Sequence, residues 1–132
     1  MFHNLDTDPV ADEPLVHYIF SRSHFAPTKG RVKPAAFEVP EDDPALSVYR
    51  IQGLNEPSIW VLGQRFAAGG RTLHARAQLT VAQATPPPLV IAREEPPPRH
   101  AVVTGWPAAK HERVSFAQRL AADSALFVRP RG

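Results

Sequence analysis

Fifteen prolines divide this chain of 132 residues into short segments. Proline is about twice as frequent as in an average protein, and it falls mainly in boundary-like clusters such as Pro86-Pro87-Pro88 and Pro96-Pro97-Pro98. Because proline lacks a backbone N–H and has a fixed φ, it ends helices and is kept out of central strands. The chain is therefore predicted to fold from short strands and helices that begin and end near these clusters.

The composition favours one soluble domain and excludes several kinds of site. The length, with 43% apolar and 21% charged residues, matches a single ordinary domain. The chain has no cysteine, which excludes disulfides, thiolate nucleophiles, iron–sulfur clusters and cysteine zinc sites, and fits a reducing compartment. No apolar stretch approaches the ~20 residues that span a bilayer, and the N-terminus is acidic where a signal peptide would be basic. We predict a cytoplasmic protein that has no membrane partner.

Hydrophobic periodicity predicts six short strands and two main helices. Asn55, followed by Glu56 and Pro57, is typical of a helix N-terminus and marks the first helix. The continuous apolar run at 89–92 predicts a strand that is buried on both faces. The predicted helices are about 56–68 and 108–124, with a single turn at 80–85, and the predicted strands are 15–20, 36–39, 46–51, 72–79, 89–92 and 99–104.

This order of elements is typical of an α+β domain. We predict a small single domain with a mixed or mostly antiparallel sheet of about five or six short strands and both main helices on one face. The domain covers 15–132, and residues 1–14 form a flexible acidic arm. That arm holds four acids and two prolines, has no lysine or arginine, and offers little apolar surface to bury.

The loop 22–33 concentrates positive charge next to aromatic residues. No acid occurs from 15 to 34, whereas the arm before it has no lysine or arginine. Cations bind phosphates, and aromatic rings, here Tyr18, Phe20 and Phe25, give bases a surface on which to stack. The loop is a candidate for binding RNA or single-stranded nucleic acid, and a solvated surface loop is the alternative. Its binding candidates are Arg22, His24, Lys29, Arg31 and Lys33.

Polar side chains on two strands suggest another hypothesis, a metal-independent enzyme. In the strand 72–79, the apolar residues are expected to line the core and the polar residues to share the opposite face. The first set is Leu73, Ala75, Ala77 and Leu79, and the second includes His74, Arg76 and Gln78. A histidine can move protons while a nearby arginine stabilises developing negative charge. A solvent-facing sheet surface is the alternative. The catalytic candidates for a toxin-like enzyme of the ribonuclease class are His74, Arg76, His100 and Lys110.

The stretch 98–110 joins a strand to the last helix and gathers several unusual residues. Gly105 permits an unusual backbone angle, and a helix N-terminus with Lys110 nearby can hold an anion. Trp106 is expected to cover the end of the core. If it is exposed instead, it becomes a partner-binding candidate together with Arg99. The stretch resembles short bacterial proteins, which implies a bacterial origin but no particular activity.

The sequence contains no familiar metal, nucleotide or nucleophile motif. Its six histidines show no pair at metal-ligand spacing, and no P-loop, Gly-x-Gly-x-x-Gly or Gly-x-Ser-x-Gly motif occurs. We therefore predict no metal and no cofactor. The first interpretation is a small binding or adaptor protein that acts through a protein partner rather than as an enzyme. Nucleic-acid binding through 22–33 and the toxin-like ribonuclease are the alternatives.

Overall fold

The computed structural model describes residues 5–66 and 69–130, which form a six-stranded sheet with helices packed against it. The strands are β1 Pro14–Ile19, β2 Phe25–Ala26, β3 Arg31–Val32, β4 Leu46–Arg50, β5 Ala75–Thr80, β6 Val90–Arg93, β7 His100–Thr104 and β8 Ala125–Val128. The α-helices are α1 Glu56–Arg65, α2 Val81–Ala84 and α3 Lys110–Asp123. The large sheet has the order β6-β7-β4-β1-β5-β8 with antiparallel neighbours, and β2 pairs with β3 in a separate hairpin. The predicted small α+β domain is confirmed.

The two main helices pack on opposite faces of the sheet. Leu15 of β1 belongs to a core cluster with Leu120 of α3, whereas its neighbour Val16 belongs to a second cluster with Ile59 of α1. Because successive side chains of a strand point to opposite faces, the sheet has an α3 face and an α1 face. The prediction that both helices lie on one face is wrong. An amphipathic pattern shows that a helix buries one side, but it does not specify which face of the sheet the helix covers.

Other elements also differ from their predictions. The region predicted as a strand at 36–39 overlaps a 3-10 helix, Pro34–Phe37, which packs on the α3 face. The run at 89–92 becomes the edge strand β6, whose side chains are mostly exposed, so its predicted burial on both faces is wrong. β8 has no counterpart in the prediction and forms the other edge. The exposure of an edge strand depends on the strand order, which local sequence does not encode.

The N-terminus of α1 follows its prediction from sequence. The side-chain oxygen of Asn55 accepts a hydrogen bond from the backbone N–H of Ser58 at 3.0 Å, and Pro57 lies in the first turn. α1 ends at Arg65, and the predicted end at 68 lies outside the described residues. α3 is slightly shorter than predicted at both ends. Within 5–66 and 69–130, every helix is too short or too polar to cross a bilayer.

A buried ion pair attaches the acidic N-terminal segment to the domain. Glu13 is 3% exposed, and its carboxylate accepts hydrogen bonds from Arg50 Nε at 2.5 Å and Nη2 at 2.8 Å. Arg50 also donates to the carbonyl of Thr7 at 2.8 Å, and Val81 N–H donates to the carbonyl of Glu13 at 3.0 Å. Glu13, which lies within the predicted arm 1–14, is therefore held against the domain by these contacts. Residues 1–4 of the arm lie outside the described part of the chain.

Glu13→Ala is expected to lower the free energy of unfolding by about 3–5 kcal/mol, because it leaves the buried Arg50 guanidinium without its counter-charge. Urea unfolding measures this quantity. Asp12→Ala is the matched control, since Asp12 is exposed, and should stay within about 0.5 kcal/mol of the wild type. Equal losses in the two variants would contradict a structural role for the ion pair.

Trp106→Ala is expected to lower the free energy of unfolding by about 3–5 kcal/mol, the usual result of truncating a buried tryptophan. Trp106 is 7% exposed, its ring centroid lies 6.5 Å from that of Phe116 in α3, and its Nε1 donates to the carbonyl of Val103 at 2.9 Å. Trp106→Phe should lose less, because it keeps an aromatic ring in the core. Thermal unfolding that is unchanged in both variants would show that the core does not depend on this ring.

Candidate functional site

The two central strands of the sheet separate along part of their length. β1 and β4 pair at Leu15↔Arg50 and Val16↔Tyr49. Beyond these pairs, β1 continues beside β5 to Ile19, and β4 extends beside β7 back to Leu46. The sheet is thus joined at one end and split at the other. We call the opening between β1 and β4 the split-sheet cleft.

Backbone groups of Tyr18 and Ser47 face this cleft. Ile51 N–H donates to the carbonyl of Pro14 at 3.3 Å, so Pro14 and every second residue after it in β1 direct their backbone groups toward β4. Tyr18 belongs to that series, and Ser47 is its counterpart in β4. His17 Nδ1 donates a hydrogen bond to the carbonyl of Ser47 at 2.9 Å. A side chain therefore links the two strands where their backbone pairing has ended.

Aromatic rings line the split-sheet cleft, which has a volume of about 580 Å³. The rings of Tyr49 and Phe66 are nearly parallel, with centroids 6.3 Å apart, and Phe20 adds to the apolar lining. α1 lies close to β1 because Gly63 has no side chain, since a Cβ there would be 2.5 Å from the ring of Tyr18. A concave site of this size, with apolar walls and a few polar groups, is typical of ligand binding.

The charged side chains in the described lining of this cleft are one arginine, Arg71, and one acid, Glu38. His24 and Arg71 both line it, and the Arg71 guanidinium lies 4.2 Å from the centre of the Phe20 ring. Among the described residues of the lining, Glu38 is the one acid. The exposed Arg22 directly follows Ser21 of the lining and adds a second positive charge at the edge of the cleft, which favours a ligand that carries negative charge.

Burial holds the pKa of His17 below its ordinary value, because a protonated imidazole would lose its hydration there. Hydrogen bonding to the carbonyls of Ser47 and Ala36 acts in the opposite direction, and the neighbouring His24 and Arg71 lower the pKa of His17 further. The ring is therefore neutral at pH 7. Its hydrogen lies on Nδ1, because the carbonyl of Ser47 can only accept a hydrogen bond.

The predicted catalytic residue Arg76 is buried rather than solvent-facing. It is 1% exposed, and it donates to the two carboxylate oxygens of Glu56 at 2.9 and 2.6 Å. Its guanidinium also lies against the rings of Trp60 and Phe127, at 4.8 and 4.3 Å from their centroids. The hydrogen bonds from Arg76 hold the pKa of Glu56 below its ordinary value. The alternative of a solvent-facing sheet surface is wrong at Arg76, because residues of α1 and β8 cover its side chain.

The alternation predicted for 72–79 is confirmed from Ala75 onward. Ala75, Ala77 and Leu79 are buried on the α3 face. Leu73 is also buried, but in the cluster on the α1 face, since it lies before β5 begins. His74 is half-buried, and its backbone N–H donates to the carbonyl of Ile19 at 3.0 Å.

The structure does not bring the four catalytic candidates to one site. His100 lies in β7 and Arg76 in β5, with β4 and β1 between them, which is a separation of about 14 Å at the usual strand spacing. His100 is 8% exposed, and its Nδ1 donates to the carbonyl of Glu94 at 2.9 Å. Lys110 begins α3 and is exposed, on the opposite side of the sheet from the Arg76 side chain.

The partner-binding candidates Arg99 and Trp106 belong to the interior. Arg99 is 7% exposed, and its Nη1 donates to the carbonyls of Arg50 at 3.1 Å and Gln52 at 2.8 Å. Trp106 is equally buried, as expected if it covers the end of the core. Both side chains contribute to the fold, and neither presents a broad surface to a partner.

The segment predicted as the basic loop 22–33 contains the hairpin of β2 and β3. Two of the rings that were expected to offer stacking surfaces, Phe25 and Tyr18, are each 6% exposed. His24 is half-buried where it lines the split-sheet cleft. The loop therefore offers accessible charge but no stacking surface at these two rings. The exposed cations are Arg22, Lys29, Arg31 and Lys33.

Reasoning from sequence alone missed the split-sheet cleft. Its lining comes from segments that are far apart in the chain, among them His17, Ser47, Phe66 and Arg71. One local signal is His17, which interrupts an otherwise aliphatic and aromatic run at 15–20. A polar residue in a strand is equally typical of a solvent-facing position, so this signal alone could not locate the cleft.

Comparisons of this chain with protein-family models, with curated proteins and with solved structures find no match. In the part of the chain that the structure describes, no group of three or more histidine, aspartate or glutamate side chains is placed to hold a metal ion. The function of the site is therefore inferred from its geometry and its charges.

Acidification is expected to destabilise the protein through His17. The pKa of His17 lies below 6.5 in the folded state, so the unfolded chain binds this proton more readily and stability falls as the pH drops through 6.5. His17→Asn keeps a donor near Nδ1 but cannot take up a proton, and should lose that part of the pH dependence. Urea unfolding between about pH 8 and pH 5 measures the effect.

His111→Asn is the control for this measurement, because His111 is exposed on α3. This variant should show the pH dependence of the wild type. A His17→Asn variant whose stability responds to pH as the wild type does would contradict the assignment of the effect to His17.

Proposed function

We propose that this protein is a binding protein that takes up an extended acidic segment of a protein partner in the split-sheet cleft. The observation that carries the proposal is that pairing between β1 and β4 ends at Val16↔Tyr49 although both strands continue. Opening the middle of a sheet removes packing contacts and is unfavourable for the isolated chain. A ligand that restores those contacts explains why the opening is present.

The cleft offers groups that complement a peptide backbone. The carbonyl of Ser47 already accepts a hydrogen bond from His17 Nδ1. The backbone groups of Tyr18 and the N–H of Ser47 face the opening, and an extended peptide between β1 and β4 can exchange hydrogen bonds with them. The side chains of such a peptide alternate between the two faces of the sheet. Those on the α1 face can contact the rings of Tyr49 and Phe66.

The charge of the surroundings favours an acidic segment. Arg71 lines the cleft and the exposed Arg22 directly follows Ser21 of the lining, so two arginines stand against Glu38, the one acid among the described residues of the lining. The sequence from Leu15 to Phe37 contains no acid. Complementary charge speeds the association of an acidic partner and disfavours a basic one.

The alternatives receive less support from the geometry. The candidates for a toxin-like ribonuclease lie in separate places, so that function stays a prediction without an assembled site. The burial of Trp106 disfavours docking of a partner on its ring. The absence of cysteine supports a cytoplasmic setting for the binding protein.

An NMR titration with defined peptides tests the proposal. The probe is a peptide of about six residues in which phenylalanine and glutamate alternate, and the matched peptide has lysine in place of glutamate. We expect the acidic peptide to shift the amide signals of Tyr18 and Ser47 and to bind about tenfold more tightly than the lysine peptide. Arg71→Gln should weaken binding of the acidic peptide about fivefold, whereas Arg119→Gln, at an exposed position on α3, should not.

Three results of this titration would overturn the proposal. One is equal affinity for the acidic and the basic peptide. Another is a set of amide shifts that does not include Tyr18 and Ser47. The third is a larger shift of these two amides by a single-stranded oligonucleotide, which would make nucleic acid the ligand of the cleft.

A further inference from the structure

The cations of the β2–β3 hairpin differ from six arginines whose side chains donate hydrogen bonds within the fold. Among residues 5–66 and 69–130, Lys29, Arg31 and Lys33 are exposed, and their side chains form no ion pair or hydrogen bond with the rest of the fold. Fixed positive charges that have no internal partner do not stabilise the folded state. Arginines that do donate to a carboxylate, an amide or a carbonyl are Arg50, Arg76, Arg93, Arg99, Arg113 and Arg129.

These three cations line a groove between the hairpin and α3. The groove has a volume of about 370 Å³, and α3 contributes Gln118 and the small residues Ala121 and Ala122. No acid occurs among the described residues of its lining. Small side chains let a ligand backbone approach closely, and the amide of Gln118 adds a hydrogen-bond donor.

The hairpin holds its cations on a fixed support. Phe25 and Val32 are 6% and 4% exposed and belong to the core cluster on the α3 face. The turn between the strands is made by Gly30, whose φ of 64° favours glycine. Val32 points inward, so Arg31 before it and Lys33, which follows β3 with an extended backbone, point outward, about 7 Å apart.

We propose that this groove binds the phosphate backbone of single-stranded nucleic acid, at a site separate from the split-sheet cleft. The outward spacing of Arg31 and Lys33 is comparable with the distance between successive phosphates of an extended strand. The ring of Phe25 is buried, so the contacts go to phosphates and carry no base preference. With both sites occupied, the protein connects a nucleic acid to the partner segment.

The salt dependence of binding tests the number of phosphate contacts. For a single strand, the logarithm of the association constant falls with the logarithm of the salt concentration by about 0.7 for each neutralised phosphate. Three cations predict a slope of about −2, which is about a twentyfold loss of affinity between 50 and 200 mM salt. The probe is a fluorescein-labelled oligouridylate of about ten nucleotides, measured by anisotropy with the full chain.

Two double variants with the same change in net charge locate the site. Arg31→Gln with Lys33→Gln should weaken binding and reduce the slope to about −0.7. Arg65→Gln with Arg119→Gln removes two exposed charges from α1 and α3 instead, and should keep the slope at about −2. Amide shifts caused by the oligonucleotide should appear at Arg31 and Gln118 and not at Tyr18 and Ser47.

Three results of these measurements would overturn this proposal. Equal losses in the two double variants would mean that binding follows net charge and not a site. No change in anisotropy up to about 100 µM protein would mean that there is no binding in the usual range. Equally tight binding of an oligoglutamate peptide in the groove would make an acidic protein segment its ligand.

Discussion

The ion pair between Glu13 and Arg50 holds the joined end of the sheet. Glu13 directly precedes β1 and Arg50 ends β4, and both side chains are almost completely buried. Each charge therefore depends on the other for stabilisation. Arg99 adds a second link, because its side chain donates to the carbonyls of Arg50 and Gln52 while its own carbonyl accepts from Arg50 N–H. With one end secured in this way, β1 and β4 can separate at the other end.

Side chains, rather than the backbone, support the split end of the sheet. The hydroxyl of Tyr18 donates to the carbonyl of Ile59 at 2.6 Å, which ties α1 to β1. On the other face, the ring of His17 contacts that of Phe37, with centroids 5.4 Å apart, while its Nδ1 reaches Ser47. Fewer backbone bonds join β1 to β4 here than in a continuous ladder, so local opening is less costly at this end. The arrangement leaves room for a ligand without loss of the surrounding core.

The positively charged side chains of this protein have two kinds of environment, which its net charge of +2 does not reveal. Arg50 and Arg76 are each 1% exposed and are paired with carboxylates. The hairpin cations remain in water because the segment that carries them contains no acid and because Phe25 and Val32 supply its apolar anchors. The hairpin cations are therefore available to a partner, because no carboxylate among the described residues of the fold neutralises them.

Local sequence alone determined the features that depend on residues close together in the chain. The cap at Asn55, the alternation of Ala75, Ala77 and Leu79 and the α+β class follow from short-range backbone and periodicity rules. Only the tertiary structure decided which face each helix covers, that Arg76 is buried, and that a cleft opens between β1 and β4. Arg76 meets Glu56 and Phe127 only after α1 and β8 have packed around β5. The burial of a polar group is set by partners distant in sequence, and a pattern along one strand contains no information about them.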